Sequence, residues 1–382
     1  MDLPPITLES WTFNLLQVFC LCLYIYLMVP IVRRTFLEHH PNRYSNLALL
    51  VVLGSIAILY ALPFSRWGFY AVYPISYWAL VFVTAWALIT LIGWKVLKPS
   101  SERACNVMLE QGLEKTTIDT IDTHNFGYAG EVRRKVLHVM ALISLFAFAI
   151  GHMIFWLVND YSFVTMQAMV TPTTLASMAW LDAQPTYIQG ALIFNLGTFG
   201  AFSVQANCEI LRLRYPKVNF AFKRTLQKTR RASETRSFGA HLSLVPCFLL
   251  GAMILTYWTP DSMQYQGVMA IFAVVTVSAL ADMAAAMFGR RYGKHKWKFL
   301  KGKSIEGTLA GSLTAFLAAV VFVGPLLALV SMLVFNFTDI ALARFRISDN
   351  LTNPLLLAIT FRCLLFLCHP MITELWIIPE WM

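Results

Sequence analysis

Charged residues are scarce in this chain of 382 residues: Asp, Glu, Lys and Arg make up 13% of it, and hydrophobic residues make up 58%. A soluble globular domain carries about 25% charged residues. Apolar runs of about 20 residues, long enough to cross a bilayer, recur along the whole length. The composition therefore predicts an all-α, polytopic membrane helical bundle with no soluble domain.

Metal-binding and disulfide patterns are also missing. The chain has seven cysteines but no Cys-x2-Cys pair, and Cys20-x-Cys22 has no histidine nearby in the sequence. Most of the cysteines fall in predicted helices, where a thiol packs as a small apolar group. We expect no cysteine metal site and no disulfide.

The net charge of +10 does not indicate nucleic-acid binding, because the basic residues lie between the apolar runs. Five such loops hold 28 of the 30 Lys and Arg residues; they are residues 33–45, 95–135, 212–236, 289–304 and 344–350. This is the distribution that the positive-inside rule expects of cytoplasmic loops. The apolar runs predict about ten crossings, at residues 11–32, 46–63, 69–94, 136–158, 188–211, 238–258, 267–288, 306–323, 325–343 and 352–369.

The split between crossings eight and nine rests on Gly324-Pro325, because proline removes an amide donor and suits a turn. One merged crossing would put Arg344 and Arg346 on the side opposite to the other basic loops. The N-terminus is predicted on the non-cytoplasmic side. Residues 1–130 are expected to form an accessory bundle of three helices with a cytoplasmic loop, and residues 131–382 the catalytic core.

Asp282 lies inside an apolar run, on a helical stripe of small or polar residues that includes Ser278, Ala285 and Gly289. Helical geometry places it about 10 Å from Gly289, deep enough for partial desolvation. Charged residues within membrane helices are usually functional. A Mg²⁺ ligand for a bound nucleotide is the favoured interpretation; the alternative is an interhelical hydrogen bond or ion pair.

The loop from Gly289 to Ser304 contains seven basic residues and no acidic one. Within it, Gly293-Lys294 and Gly302-Lys303-Ser304 bracket the start of the next helix. Gly302-Lys303-Ser304 resembles the end of a Walker-type P-loop, but Trp297 stands where the first glycine of that motif should be, so the motif is excluded. Free amides from Ser304 to Gly307, at the start of a helix, still predict an anion site. No capping box is formed, which leaves Glu306 available for another role.

Three further polar clusters are ambiguous when taken singly. Glu131, Lys135 and His138 share one helix face, and either chemistry or an ion pair at a membrane entry explains them. Arg231 and Glu234 have i,i+3 spacing, typical of a simple pair. Asp349-Asn350 is either an ordinary helix N-cap or part of the same site as Asp282.

Together these motifs resemble the membrane family of CTP-dependent lipid kinases, namely dolichol kinase, phytol kinase and the CTP-using diacylglycerol kinase. The resemblance covers about Glu131 to Leu357, with Asn353 where that family usually has isoleucine. In family order, the motifs are Glu131-x2-Arg134-Lys135-x2-His138, Arg231-x2-Glu234, Asp282-x2-Ala285-x3-Gly289-x3-Gly293-Lys294, Lys303-Ser304-x-Glu306-Gly307-Thr308 and Asp349-Asn350-Leu351-Thr352-x-Pro354.

The resemblance implies transfer of the γ-phosphate of CTP to a lipid hydroxyl of the polyprenol, phytol or diacylglycerol class. It implies Asp282 as the principal Mg²⁺ ligand, with Asp349 or Glu306 as a second carboxylate, and Glu131 or His138 to orient or deprotonate the alcohol. Asn350 and Glu234 are expected nearby. The residues expected to hold phosphates are Lys135, Arg231, Gly289, Gly293, Lys294, Lys303, Ser304 and Gly307.

Two other functions compete with this one. A cytidylyltransferase attaches CMP to a lipid phosphate, but the paired aspartates that follow a Lys-Asp step in related enzymes are missing here. A lipid or ion transporter predicts inverted repeats or broken helices near the midplane. The unusual residues instead cluster at the predicted inner ends of helices, which favours an enzyme at the membrane interface.

Overall fold

The computed structural model describes residues 8–61, 186–214, 236–256, 264–297, 303–341 and 347–372, and the single residues 132, 134, 135, 142, 234 and 300. Within these ranges the chain is helical, with no strand. The α-helices are α1 (Leu8–Leu37), α2 (Arg43–Ala61), α3 (Thr186–Arg214), α4 (Ala240–Thr256), α5 (Gln264–Tyr292), α6 (Ile305–Asn336) and α7 (Asp349–Ile372). A π-helical turn, Phe337–Ala341, continues α6.

Five of the described helical segments are long and apolar enough to cross a membrane, which indicates an integral membrane protein. They are Gln17–Leu37, Arg43–Ala61, Tyr265–Tyr292, Ile305–Ala341 and Asp349–Leu367. Apart from residue 142, the predicted crossings 69–94 and 136–158 lie outside the described residues, so the count of ten stays a prediction. The all-helical class is confirmed for the described part of the chain.

Helix α6 is a hairpin of two arms. Gly324 has φ 70° and ψ 173°, a conformation open to glycine, and Pro325 begins the second arm. The arms run antiparallel, because Ser312 Oγ donates a hydrogen bond to Asn336 Oδ1 (2.5 Å) and Thr308 Oγ1 donates one to Asp339 Oδ2 (3.3 Å). The predicted reversal at Gly324-Pro325 is therefore present.

The two faces of the first arm of α6 are chemically distinct. Gly307, Gly311, Ala315 and Ala319 recur every four residues and are buried. Large apolar side chains on another face are 49–64% exposed, which suits contact with lipid; they are Leu309, Leu313, Leu317 and Val321. The small residues let α5 and the second arm approach closely.

Two hydrophobic clusters hold the bundle together. One joins α3, α4, α5, α6 and α7 around residues such as Phe248, Val274 and Phe361. The other packs α1 and α2 against α3 and α4, around Tyr24, Leu53 and Phe202. The N-terminal hairpin thus shares its apolar core with helices of the remaining bundle.

Candidate active site

Close contact between α5 and α6 brings their polar ends together. A Cβ atom on Gly307 would lie 2.7 Å from the carbonyl oxygen of Ala285 and 2.8 Å from Gly289 Cα. Real Cβ atoms do not approach this closely, so glycine is required for the crossing. The predicted stripe of small residues is thus a helix-packing face that lies directly beside Asp282.

The loop between α5 and α6 is held by main-chain hydrogen bonds. Lys296 and Ser304 form an antiparallel bridge, Trp297 N donates to Lys303 O (3.2 Å), and Ile305 N donates to His295 O (2.9 Å). Ser304 caps α6, because its Oγ accepts a hydrogen bond from Gly307 N at 3.1 Å. This arrangement fixes Lys303 at the start of the helix.

Asp282 forms an ion pair with Lys135. The lysine side chain is 2% exposed and the aspartate side chain 13% exposed, so both charges are withdrawn from water. A buried charge requires a partner, and removal of either one leaves the other uncompensated. The pair joins the segment around residue 135 to α5.

A second ion pair joins Lys303 to Asp339 on the π-helical turn. Lys303 Nζ also donates a hydrogen bond to the main-chain oxygen of Asp339 at 2.7 Å. Thr308 Oγ1 donates to the other carboxylate oxygen at 3.3 Å. Single π-helical turns often occur at functional sites, and this one brings a carboxylate next to the loop lysine.

Both pairs face one cavity of about 160 Å³. Among the described residues, the charged side chains that line it are four basic and three acidic, which favours an anionic ligand. They are Arg134, Lys135, Arg290, Lys303, Asp282, Asp339 and Asp349; the polar and small residues of the lining are Ala285, Ala286, Gly289, Ser304, Gly307 and Thr308.

The cavity contains seven of the residues predicted from the sequence. These are Lys135, Asp282, Gly289, Lys303, Ser304, Gly307 and Asp349. Five others are described but do not line it, namely Glu234, Gly293, Lys294, Glu306 and Asn350. Glu131, His138 and Arg231 lie outside the described residues, so their predicted roles stay predictions.

Glu306 has a structural contact instead of a place beside Asp282. Its Oε1 accepts a hydrogen bond from His295 N (3.0 Å) and lies 2.6 Å from His295 Nδ1. The carboxylate thereby fastens the α5–α6 loop to the first turn of α6. Its role as a metal ligand stays a prediction. The fold of the loop, which the sequence does not reveal, supplies Glu306 with His295 as a partner.

The anion site predicted on the amides from Ser304 to Gly307 stays a prediction, but some of these amides have partners within the protein. Gly307 N is bonded to Ser304 Oγ, and Ile305 N is bonded to His295 O. Two of the amides expected to be free are thus satisfied within the protein. Positive charge in the cavity comes instead from the lysine and arginine side chains.

Asp339 was not among the residues predicted from the sequence. The signal that could have found it is the one used for Asp282, because it is a carboxylate within a predicted crossing, 325–343. Asn353, where the resembled kinases have isoleucine, is 4% exposed, and Thr338 Oγ1 donates to its Oδ1 at 3.4 Å. The departure puts a polar group beside the turn that carries Asp339.

The carboxylates fit a magnesium ion that shares its ligands with a substrate. Among the described residues, no three His, Cys, Asp or Glu side chains lie close enough together to hold a metal by themselves. Mg²⁺ usually takes one or two carboxylates, several waters and substrate phosphates. Asp282 and Asp339 line the same cavity and supply that number of carboxylates.

The model of the cytidylyltransferase family matches residues 131–368, more than half of the chain. The chain belongs to the cytidylyltransferase family. This family includes dolichol kinase and other CTP-dependent kinases, so the suspected relationship is confirmed. No curated protein and no solved structure matches the chain.

Every residue that lines the cavity falls within the part matched to the cytidylyltransferase family. The match makes this an enzyme family that acts on CTP. Helices α1 and α2 lie outside the matched part, although they pack against it.

Proposed function

We propose that this member of the cytidylyltransferase family is a CTP-dependent lipid-alcohol kinase, with a polyprenol or dolichol-type acceptor favoured over phytol or diacylglycerol. The observation that carries the proposal is the cavity lined by two lysine–aspartate pairs, Lys135–Asp282 and Lys303–Asp339. Its place at the ends of apolar helices suits a lipid acceptor. The proposed active site faces the cytoplasm, where the basic loops are predicted.

Phosphoryl transfer requires positioning and charge neutralisation more than covalent help from the protein. Lys135, Lys303, Arg134 and Arg290 would bind the phosphate oxygens. The carboxylates of Asp282 and Asp339, with Asp349 nearby, would hold Mg²⁺. When bound, the ion would neutralise charge on the transferred phosphoryl group.

The size of the cavity agrees with a site that binds phosphate groups and Mg²⁺. Sites for small molecules commonly measure about 300–1,000 Å³, and the cavity here has about 160 Å³. That volume suits a triphosphate chain with its ion, so we place the cytidine outside it. The acceptor hydroxyl would reach the cavity from the membrane while its apolar chain stays in lipid.

In the proposed reaction the lipid oxygen forms a bond to the γ-phosphorus of CTP. The bond from that phosphorus to the β–γ bridging oxygen breaks, CDP leaves, and a base accepts the hydroxyl proton. Glu131 or His138 is the proposed base, on the resemblance to lipid kinases.

Cytidylyl transfer is a second candidate, because the description of the matched family favours it. In that reaction a lipid phosphate oxygen attacks the α-phosphorus of CTP and pyrophosphate leaves. The same cavity could bind the nucleotide in both reactions, since both need the triphosphate and its metal. The two differ in the position of the phosphorus that is attacked.

One assay separates the candidates. The purified protein is incubated with Mg²⁺ and CTP labelled at either the α- or the γ-phosphorus, together with lipid alcohols or phosphatidate. We expect γ-label in the lipid and release of CDP; α-label in the lipid with pyrophosphate would establish cytidylyl transfer instead. Absence of both products would contradict both reactions and direct attention to transport.

The variant Asp282→Asn tests whether the described cavity is the site of the proposed phosphoryl transfer. It keeps the shape of the side chain but removes its charge, so we expect turnover to fall at least about 100-fold. Thermal unfolding of the same preparation shows whether the fold survives. Near-normal turnover would remove Asp282 from the proposed mechanism.

A further inference from the structure

We propose that the first turn of α2 positions Asp349 in the cavity, with Ser45 as the positioning residue. The inference rests on the proposed function, because it assigns Asp349 a part in binding Mg²⁺ and CTP. Ser45 lies outside the part matched to the cytidylyltransferase family. Its Oγ nevertheless accepts a hydrogen bond from Ser348 N at 2.9 Å, one residue before Asp349.

Ser348 determines where α7 begins. Its main-chain oxygen accepts hydrogen bonds from Leu351 N (3.0 Å) and Thr352 N (3.1 Å), so it occupies the N-cap position. Asp349 is the first residue of the helix and lines the cavity. A shift of Ser348 would therefore move the carboxylate of Asp349.

The turn that precedes Ser45, between α1 and α2, is itself fixed. His40 N donates to Thr35 O (2.8 Å) and His39 N to Phe36 O (3.1 Å), which is the pattern of a Schellman motif. His39 has φ 48°, a conformation that a residue other than glycine keeps only where its surroundings impose it. Asn42 N donates to His40 Nδ1 at 3.1 Å and closes the turn.

Contacts with the matched part of the chain hold this hairpin at several points. Asn42 Nδ2 donates to Ser237 Oγ (3.0 Å), close to the start of α4. Arg214 donates to Leu27 O (3.1 Å), and Asn207 Nδ2 donates to the buried Tyr24 hydroxyl (2.9 Å). The hydroxyl of Ser45 is thus carried on a rigid support and is 9% exposed at the residue level.

The test compares Ser45→Ala with Ser45→Thr, which keeps a hydroxyl acceptor, and with Ser55→Ala. Ser55 is on the same helix, but its Oγ donates only to Val51 O of that helix (3.0 Å). Mg²⁺ is titrated at fixed CTP, and CTP binding to the purified full-length protein is measured, together with the midpoint of thermal unfolding without nucleotide.

We expect Ser45→Ala to raise the Mg²⁺ concentration for half-maximal CTP binding about 3- to 10-fold, since one hydrogen bond is lost. Ser45→Thr and Ser55→Ala should stay within about twofold of the wild type. A change in unfolding midpoint with an unaltered Mg²⁺ titration would mean that Ser45 only stabilises the fold, which overturns the inference. If Ser45→Ala does not fold, Ser45→Cys, with its weaker acceptor, is titrated instead.

The same titration distinguishes failure of the proposed function from failure of the role assigned to Ser45. If wild-type protein binds no CTP at any Mg²⁺ concentration, the nucleotide site itself is wrong and this inference is overturned with it. If the wild type binds CTP and Ser45→Ala binds it with the same Mg²⁺ dependence, only the positioning role of Ser45 is overturned.

Discussion

Asp282 lies within α5 and Asp339 lies in the π-helical turn, and each carboxylate is paired with a lysine from another segment of the chain. Such pairs are costly to bury, and removing one partner typically destabilises a protein by about 3–5 kcal/mol. They also give the cavity the two chemical properties that a metal–nucleotide complex needs, namely carboxylate ligands and cations for phosphate. We therefore expect these pairs to serve binding more than stability.

Asp339→Asn tests the catalytic role of Asp339, the carboxylate that was not predicted from the sequence. We expect turnover to fall at least about 100-fold, because the amide cannot replace a charged metal ligand. The midpoint of thermal unfolding should fall by only a few degrees, since Lys303 is 29% exposed and can be solvated. Steady-state turnover and thermal unfolding are measured on the same preparation.

Glu38→Gln is the matched control for that variant. Glu38 forms an ion pair with Arg34 at 2.7 Å, in a contact away from the cavity. Such an exposed pair contributes about 0–1 kcal/mol, so activity should be unchanged. Equal turnover in Asp339→Asn and Glu38→Gln would exclude Asp339 from catalysis.

At the scale of helices, the contact between α5 and α6 decides whether the cavity exists. Gly307→Ala would place a methyl group against Ala285 O and Gly289 Cα, both on the backbone of α5. Backbone cannot move aside as a flexible side chain can, so the helices must separate. We expect a loss of about 1–3 kcal/mol in unfolding free energy and a loss of most activity.

Gly54→Ala is the control for this substitution. Apart from its chain neighbours and the backbone of its own helix, no atom of the described residues lies within 4 Å of a Cβ placed on Gly54, which is in the middle of α2. Alanine favours a helix over glycine by about 0.5–1 kcal/mol, so Gly54→Ala should stabilise the protein and keep its activity. Denaturation and activity are measured for both variants; a neutral Gly307→Ala would contradict the close crossing.

The α1–α2 turn predicts a dependence of stability on pH. Burial lowers the pKa of His40 below its ordinary value of 6.5; Arg236 also lowers it, and Glu38 opposes the change. The unfolded chain therefore binds the proton more readily than the folded one. This contribution to stability is complete above about pH 6.5 and is lost as the pH falls through the folded pKa.

Thermal unfolding of the wild type and of His40→Asn between about pH 7.5 and about pH 5 checks this prediction. We expect the midpoint of the wild type to fall on acidification, and the fall to be smaller in His40→Asn. His39→Asn is the control, because asparagine tolerates the left-handed conformation and leaves His40 in place. Parallel curves for wild type and His40→Asn would exclude His40 as the source.

At the scale of the molecule, contacts at one end of the bundle unite helices from distant parts of the chain. Asn42 contacts Ser237, Ser45 contacts Ser348, and Lys303 contacts Asp339. The basic loops were predicted on one side of the membrane, and the contacts among the described loops agree with a common end. The reversal of α6 at Gly324 is what brings Asp339 to this end.

Thiol labelling of sealed vesicles tests this arrangement. In a cysteine-free background, Lys296→Cys and Leu326→Cys should react with an impermeant reagent from opposite sides, because Leu326 follows the turn at Gly324 and is 44% exposed. The first arm, residues 305–323, is about 28 Å long, and the second arm together with the π-helical turn, residues 325–341, is about 25 Å long. Both are close to the thickness of about 30 Å of the hydrocarbon core. Labelling of both positions from the same side would contradict the hairpin.

Composition and local sequence pattern were sufficient to predict several features of this protein. Long apolar runs predicted membrane helices, and Gly324-Pro325 predicted the reversal in α6. These features depend on neighbouring residues, which is why the sequence reveals them. Its motifs also predicted seven residues of the cavity, including Asp282 and Lys303.

The tertiary structure decided which polar groups are partners. Glu306 looked available, but the folded loop supplies His295 as its partner. Asp339 lies 36 residues from Lys303 in sequence and reaches it because α6 folds back on itself. Pairing across such distances depends on how helices pack, and packing is a property of the whole chain. The sequence by itself therefore determined the membrane helices and most of the charged groups of the site. The fold decided which of those charged groups share the cavity.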